Sequence, residues 1–86
     1  MNKYLVTGSA GFIGSAVTKK LLDKNNFVVG IDNHNNYYSP KLKASRLNIF
    51  KNHPNYQHYK VDIEDEDRID EIFNEHEFKA VINLAA

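Results

Sequence analysis

The run Val6-Thr7-Gly8-Ser9-Ala10-Gly11-Phe12-Ile13-Gly14 constrains this chain more than any other stretch. It follows a short apolar segment, Lys3 to Thr7, which suits a strand covered on both faces, and it opens a helical pattern. A second strand-like run, Phe27-Val28-Val29-Gly30-Ile31, delivers Asp32 at its end. Strand, glycine-rich turn, helix, strand and terminal carboxylate, in that order, form the pattern of a βαβ unit that takes a dinucleotide. A turn without side chains lets backbone approach a pyrophosphate. The helix that follows points unpaired N–H groups and a partial positive charge at the same place.

With 86 residues the chain is one small domain at most. Eleven basic and eleven acidic side chains balance, so nothing electrostatic favours nucleic acid or an anionic membrane as partner. There is no cysteine, which removes disulfides and thiolate metal sites. The N-terminal apolar run is too short for a signal peptide, and no stretch approaches a membrane span, so a soluble, cytoplasmic protein is expected. The last residues, Ala80-Val81-Ile82-Asn83-Leu84-Ala85-Ala86, are expected to be a buried strand reaching its C-terminal end. Ligand loops leave a parallel sheet at that edge, so the expectation is a fragment, residues 1–86 of a larger dinucleotide-binding domain.

From Phe12 to about Lys24, Ile13, Ala16, Val17, Leu21 and Leu22 are expected to share one helical face, and Asn25-Asn26 to end the helix in a left-handed turn. A strand, Phe27 to Asp32, comes next. Asn33 to Ser39 is loop-like. Pro40 suits a first helical turn, and Lys41 to Lys51 continues a helix with Leu42, Leu47, Ile49 and Phe50 as apolar contacts. Tyr56 to Asp62 is expected to be a third strand, with Tyr59 and Val61 in the core. A helix is expected over Glu64 to Glu77, with a stripe of Ile69, Ile72 and Phe73, and a fourth strand over Lys79 to Leu84. The order βαβαβαβ predicts an α/β fold: a Rossmann-type, doubly wound parallel sheet with strand order 3-2-1-4.

Gly8, Gly11 and Gly14 are weighed against an ordinary tight turn. Their position between strand and helix, with an acid closing the next strand, favours the pyrophosphate role. Asp32 fits the adenosine ribose better than a solvated loop. A carboxylate there repels a 2′-phosphate, which favours NAD over NADP, and no Arg stands in Asn33 to Asn36 to reverse it. Lys41, Lys43 and Arg46 are expected to form a solvated helix face. Asp62 suits either a helix cap or an adenine contact. The acidic run Glu64 to Asp67 fits a helix N-terminus better than a cation site. His34, His53, His58 and His76 show no metal-ligand spacing and are expected at the surface, and Tyr37-Tyr38 are expected to pack. No nucleophile elbow, P-loop or metal motif occurs.

Thr7-Gly8-Ser9-Ala10-Gly11-Phe12-Ile13-Gly14 resembles the TGxxGxxG turn of the extended short-chain dehydrogenase/reductase superfamily. Asp32-Asn33, Asp62-Ile63 and Asn83-Leu84-Ala85-Ala86 match its further cofactor-contact segments in order and spacing. The stretch from Gly30 to Lys43, with Arg46-Leu47, is similar to nucleotide-sugar 4-epimerases, above all the UDP-glucuronate 4-epimerase group, which includes enzymes of capsular-polysaccharide biosynthesis. The resemblance implies NAD as cofactor. Gly8, Gly11, Phe12, Ile13 and Gly14 would form the pyrophosphate turn, and Asp32, Asn33 and Asn36 would serve the ribose. Asp62 and Ile63 would flank adenine, and Leu84, Ala85 and Ala86 would pass the inner ribose and phosphates. It further implies a UDP-sugar substrate, epimerised at C4 through a 4-keto intermediate, and a homodimeric parent. The superfamily's catalytic Ser/Thr and Tyr-x-x-x-Lys pair belong after the fourth strand and do not occur here, so the chain alone is expected to be inactive. Its edge strand is expected to favour self-association. Alternatives are a nucleotide-sugar 4,6-dehydratase or decarboxylase, and a non-catalytic NAD(P)-binding sensor, against which the Asp32 to Lys43 stretch argues.

Overall fold

A computed structural model describes residues 1–33 and 40–84, with backbone only at 40 and 42–44. Its elements alternate: β1 (Lys3–Thr7), α1 (Phe12–Asp23), β2 (Phe27–Asp32), α2 (Pro40–Phe50), β3 (Tyr56–Lys60), α3 (Glu66–Glu75) and β4 (Ala80–Asn83). The four strands are parallel and lie in the order β3-β2-β1-β4, as the alternation of patterns predicts.

Alternate strand residues face opposite sides, so the sheet separates two cores. Leu5, Val29, Ile31 and Val61 join Ile72 of α3 on one face, while Val6, Val28 and Tyr56 join Leu22 of α1 and Phe50 of α2 on the other. Asn25 ends α1 at φ 63°, and the Asn25 and Asn26 N–H groups donate to the carbonyls of Leu22 and Leu21. Both the left-handed stop and Pro40 as the first residue of α2 agree with the sequence reading.

Several expectations need correction. The buried stripe of α1 is Gly14, Thr18 and Leu22, four residues apart, while Ile13 and Ala16 face outwards. Thr18 can enter the interface because its hydroxyl donates to the Gly14 carbonyl at 2.8 Å and leaves no polar atom unpaired. Ile49 of α2 and Phe73 of α3 are exposed. Strand β3 stops at Lys60, and Val61, still buried, donates its N–H to the Asp32 carbonyl as the chain leaves the sheet. Helix α3 begins at Glu66 because Asp65 is its cap, accepting from the Arg68 N–H, and it ends at Glu75. Strand β4 is not buried: among the described residues it pairs only with β1, and Val81 is 47% exposed. No described helix is long and apolar enough to cross a membrane.

Candidate functional site

Parallel pairing aligns the carboxyl ends of all four strands. Thr7 lies opposite Ile31 and Asn83, and Ile31 lies opposite Tyr59. The segments that leave the strands therefore gather along one rim: Gly8 to Gly14 after β1, Asn33 after β2, Asp62-Ile63 after β3 and Leu84 after β4. Asn36, Ala85 and Ala86, like His34 and Tyr37-Tyr38, lie outside the described residues.

The turn is closed tightly. Gly8 adopts φ 73°, a backbone state that favours glycine. The N–H groups of Gly8 and Ser9 donate to the Ile31 carbonyl at 2.7 and 3.3 Å, and that of Gly11 donates to the Gly8 carbonyl at 3.0 Å. The Ala10 N–H donates to Asp32 Oδ2 at 3.1 Å. A Cβ on Gly14 would stand 1.9 Å from the Gly8 oxygen, so only glycine lets α1 start this close to the turn.

With those donors spent, three find no backbone acceptor among the described residues. Gly11 caps α1 through backbone alone, with no side-chain bond, and the first intrahelical acceptor goes to the Ser15 N–H. Phe12, Ile13 and Gly14 thus carry the N–H groups that an α-helix leaves without internal acceptors. No acid stands in the first turn of α1 to neutralise the positive end of the dipole. Helix α3 differs: Asp65, Glu66 and Asp67 already satisfy its start. The chemistry on offer at α1 is that of an anion site, and a pyrophosphate is an anion of the kind such a helix start takes. The Phe12 and Ile13 side chains project outwards, so these two residues face a ligand through their backbone.

Asp32 is 4% exposed, and the bond to Ala10 makes its carboxylate a fastener of the turn, a role the sequence reading missed. Asn33 is exposed. Asp62 is exposed and does not cap α3. Its Oδ1 accepts from the Glu64 N–H at 2.9 Å, forming the turn before the cap, while Ile63 is partly exposed beside it. At β4, Thr7 Oγ1 donates to Asn83 Oδ1 at 2.5 Å and accepts from the Leu84 N–H at 3.0 Å, which directs the chain past the turn. Arg46 is half-buried: its guanidinium lies 5.5 Å from the Phe12 ring centroid, with Nη1 buried. His53, His58 and His76 are half-buried and hydrogen-bonded, not free surface groups.

Known proteins share this fold. The family described as GDP-mannose 4,6 dehydratase matches residues 5–86. A UDP-glucuronate 4-epimerase of Thermodesulfobacterium geofontis is 44% identical over 86 residues, which are 100% of this chain and 27% of that protein. Among solved structures, the UDP-glucuronic acid 4-epimerase of Bacillus cereus, in complex with UDP-glucuronic acid and NAD, superposes with a TM-score of 0.86 at 33% identity. That match covers 98% of this chain and 26% of that one. The dTDP-glucose 4,6-dehydratase of Bacillus anthracis, in complex with NAD, gives 0.87 at 25% identity, covering 100% of this chain and 27% of that one. The chain spans about a quarter of the length of these relatives. On the match over residues 5–86, it belongs to the GDP-mannose 4,6 dehydratase family.

Proposed function

We propose that this chain is the NAD-gripping part of a nucleotide-sugar epimerase, acting on UDP-glucuronate at C4. The observation that carries the reading is the trio of N–H groups on Phe12, Ile13 and Gly14 that no described backbone group accepts, beside a turn where a Cβ on Gly14 would strike backbone. Gly8, Gly11 and those three residues take the pyrophosphate. Asp32, Asn33 and Asn36 serve the adenosine ribose, with the Asp32 charge disfavouring a 2′-phosphate. Asp62 and Ile63 flank adenine, and Leu84, Ala85 and Ala86 line the inner ribose. When bound, NAD supplies hydride transfer at the sugar carbon. The residues of this chain bind and orient it, and none is assigned to proton transfer, so residues 1–86 alone have no turnover. The reading places the protein in the cytoplasm, in polysaccharide biosynthesis, as a homodimer, with self-association of residues 1–86 through the β4 edge.

The epimerase and dehydratase relatives support this choice, and UDP-glucuronate 4-epimerase is the reading favoured by the higher identities. A 4,6-dehydratase is the second reading, supported by the dehydratase neighbour. Calorimetric titration of the chain is expected to show NAD binding weaker than micromolar, none for NADP, and loss of binding in Gly14→Val. Equal affinity for the two cofactors would overturn the assignment of Asp32. The polypeptide carrying this chain at the length of its relatives is expected to interconvert UDP-glucuronate and UDP-galacturonate. A 4,6-dehydrated sugar product would select the second reading instead.

A further inference from the structure

Gly30 lies in the interior of β2, where a glycine weakens a strand unless something must come close. Two hydroxyls do. A Cβ on Gly30 would stand 2.0 Å from Tyr56 Oη and 2.6 Å from Ser9 Oγ. Tyr56 comes from β3, on the far side of β2 from the turn. Its hydroxyl crosses over Gly30 and donates to Ser9 Oγ at 3.2 Å, a contact between residues 47 apart in sequence. It shares a second hydrogen bond with His58 Nδ1 at 2.7 Å. Ser9 is wholly buried and Tyr56 nearly so.

The Tyr56 ring already meets the needs of the core, packing edge-on against Phe50 at 4.7 Å. Phenylalanine would serve that packing without placing a hydroxyl in an apolar layer, which is costly unless the group is bonded. The hydroxyl therefore answers to its partners, and Ser9 stands at the centre of the turn, between Gly8 at φ 73° and Ala10 on Asp32. Burial holds the phenol far above its ordinary ionisation range, so it remains protonated.

We propose that Tyr56 is a positioning residue of the anion-binding turn: its hydroxyl, admitted by Gly30 and held by His58, fixes Ser9. It thereby fixes the spacing between Gly8 and the N–H groups that open α1. The ligand named in the test rests on the NAD reading; the positioning itself does not.

Tyr56→Phe keeps the ring and removes only the hydroxyl. Hydrogen exchange by NMR is expected to quicken about tenfold at the Ala10 and Gly11 amides, while the amides of α3 are unchanged. The dissociation constant for NAD is expected to rise about fivefold. Ser9→Ala should match it, and Tyr56→Phe with Ser9→Ala should be no worse than either alone, because both remove one contact. Gly30→Ala closes the crossing from the other side and should loosen the same amides. Unchanged exchange at the turn in Tyr56→Phe, or a uniform rise across the whole chain, overturns the proposal, as does a double variant whose effects multiply. If the unaltered chain does not bind NAD, the cofactor reading fails and turn exchange alone decides this one.

Discussion

A Cβ on Gly14 would meet the Gly8 oxygen at 1.9 Å, and one on Gly30 would meet two hydroxyls, so at both positions a single carbon sets the geometry around it. His76 shows the opposite strategy, many partners for one ring. Its Nδ1 lies 3.1 Å from Lys3 Nζ and its Nε2 lies 3.2 Å from Tyr59 Oη. Tyr59 in turn donates to Glu75 Oε2 at 3.1 Å and accepts from Gln57 Nε2 at 2.8 Å. An ammonium can only donate, so Nδ1 accepts and the ring is neutral with its proton on Nε2. Burial and the Lys3 charge hold the His76 pKa below its ordinary value of 6.5, with Glu75 opposing them in part. The folded state thus binds the His76 proton more weakly than the unfolded chain does. The contribution is fully present above about pH 6.5 and is lost as the pH falls from there through the depressed folded value. His76→Gln should lower the melting temperature at pH 7.5, and the gap to the unaltered chain should shrink by pH 5.5. A gap that is constant or widens on acidification would show that the neutral ring is not what these partners favour.

At the scale of elements, hydrophobic periodicity and helix punctuation carried the sequence reading far. β1 and β2 were legible to the residue, and Asn25 and Pro40 marked a helix end and a helix start where the chain has them. Periodicity misjudged α1 because it scores side chains for apolarity, whereas close approach to a sheet selects for smallness. Gly14 and Thr18 carry little apolar signal, yet with Leu22 they are the contact, and Ile13 lies outside it. Urea titration should separate the two: Leu22→Ala is expected to cost about 2–4 kcal/mol, and Ile13→Ala less than about 1 kcal/mol. Equal costs would put the buried face of α1 elsewhere. The rim of the candidate site was legible for a related reason, since each strand's end follows from its pattern and parallel pairing brings those ends together. The hidden part was tertiary: Asp32 holding Ala10, Arg46 on Phe12, and Tyr56 reaching Ser9 all depend on neighbours the sequence does not order. An isolated glycine inside a strand, Gly30, was the one available signal for the last of these.

For the whole molecule the decisive asymmetry lies between the two outer strands. β3 carries Lys60, and its solvent-facing Gln57 is also polar, so a second strand approaching it meets charge. β4 has the sequence Ala80-Val81-Ile82-Asn83 with no charge, is paired only to β1 among the described residues, and leaves Val81 47% exposed. Unpaired N–H and C=O groups beside exposed apolar side chains make a template for strand addition, and a lysine is a common way to blunt it. The chain's formal net charge of zero adds no long-range repulsion to oppose contact. Sedimentation velocity should therefore show concentration-dependent self-association, reduced by Val81→Lys, whose side chain can point to solvent from a half-exposed position. Val81 sits opposite Leu5, two residues before the strand ends that carry the glycine turn, so NAD affinity should not change in that variant. If Val81→Lys stays as associated as the unaltered chain while the fold is retained by circular dichroism, the contact is not at β4, and the outward α1–α2 surface of Phe12, Ile13 and Ile49 becomes the place to substitute next.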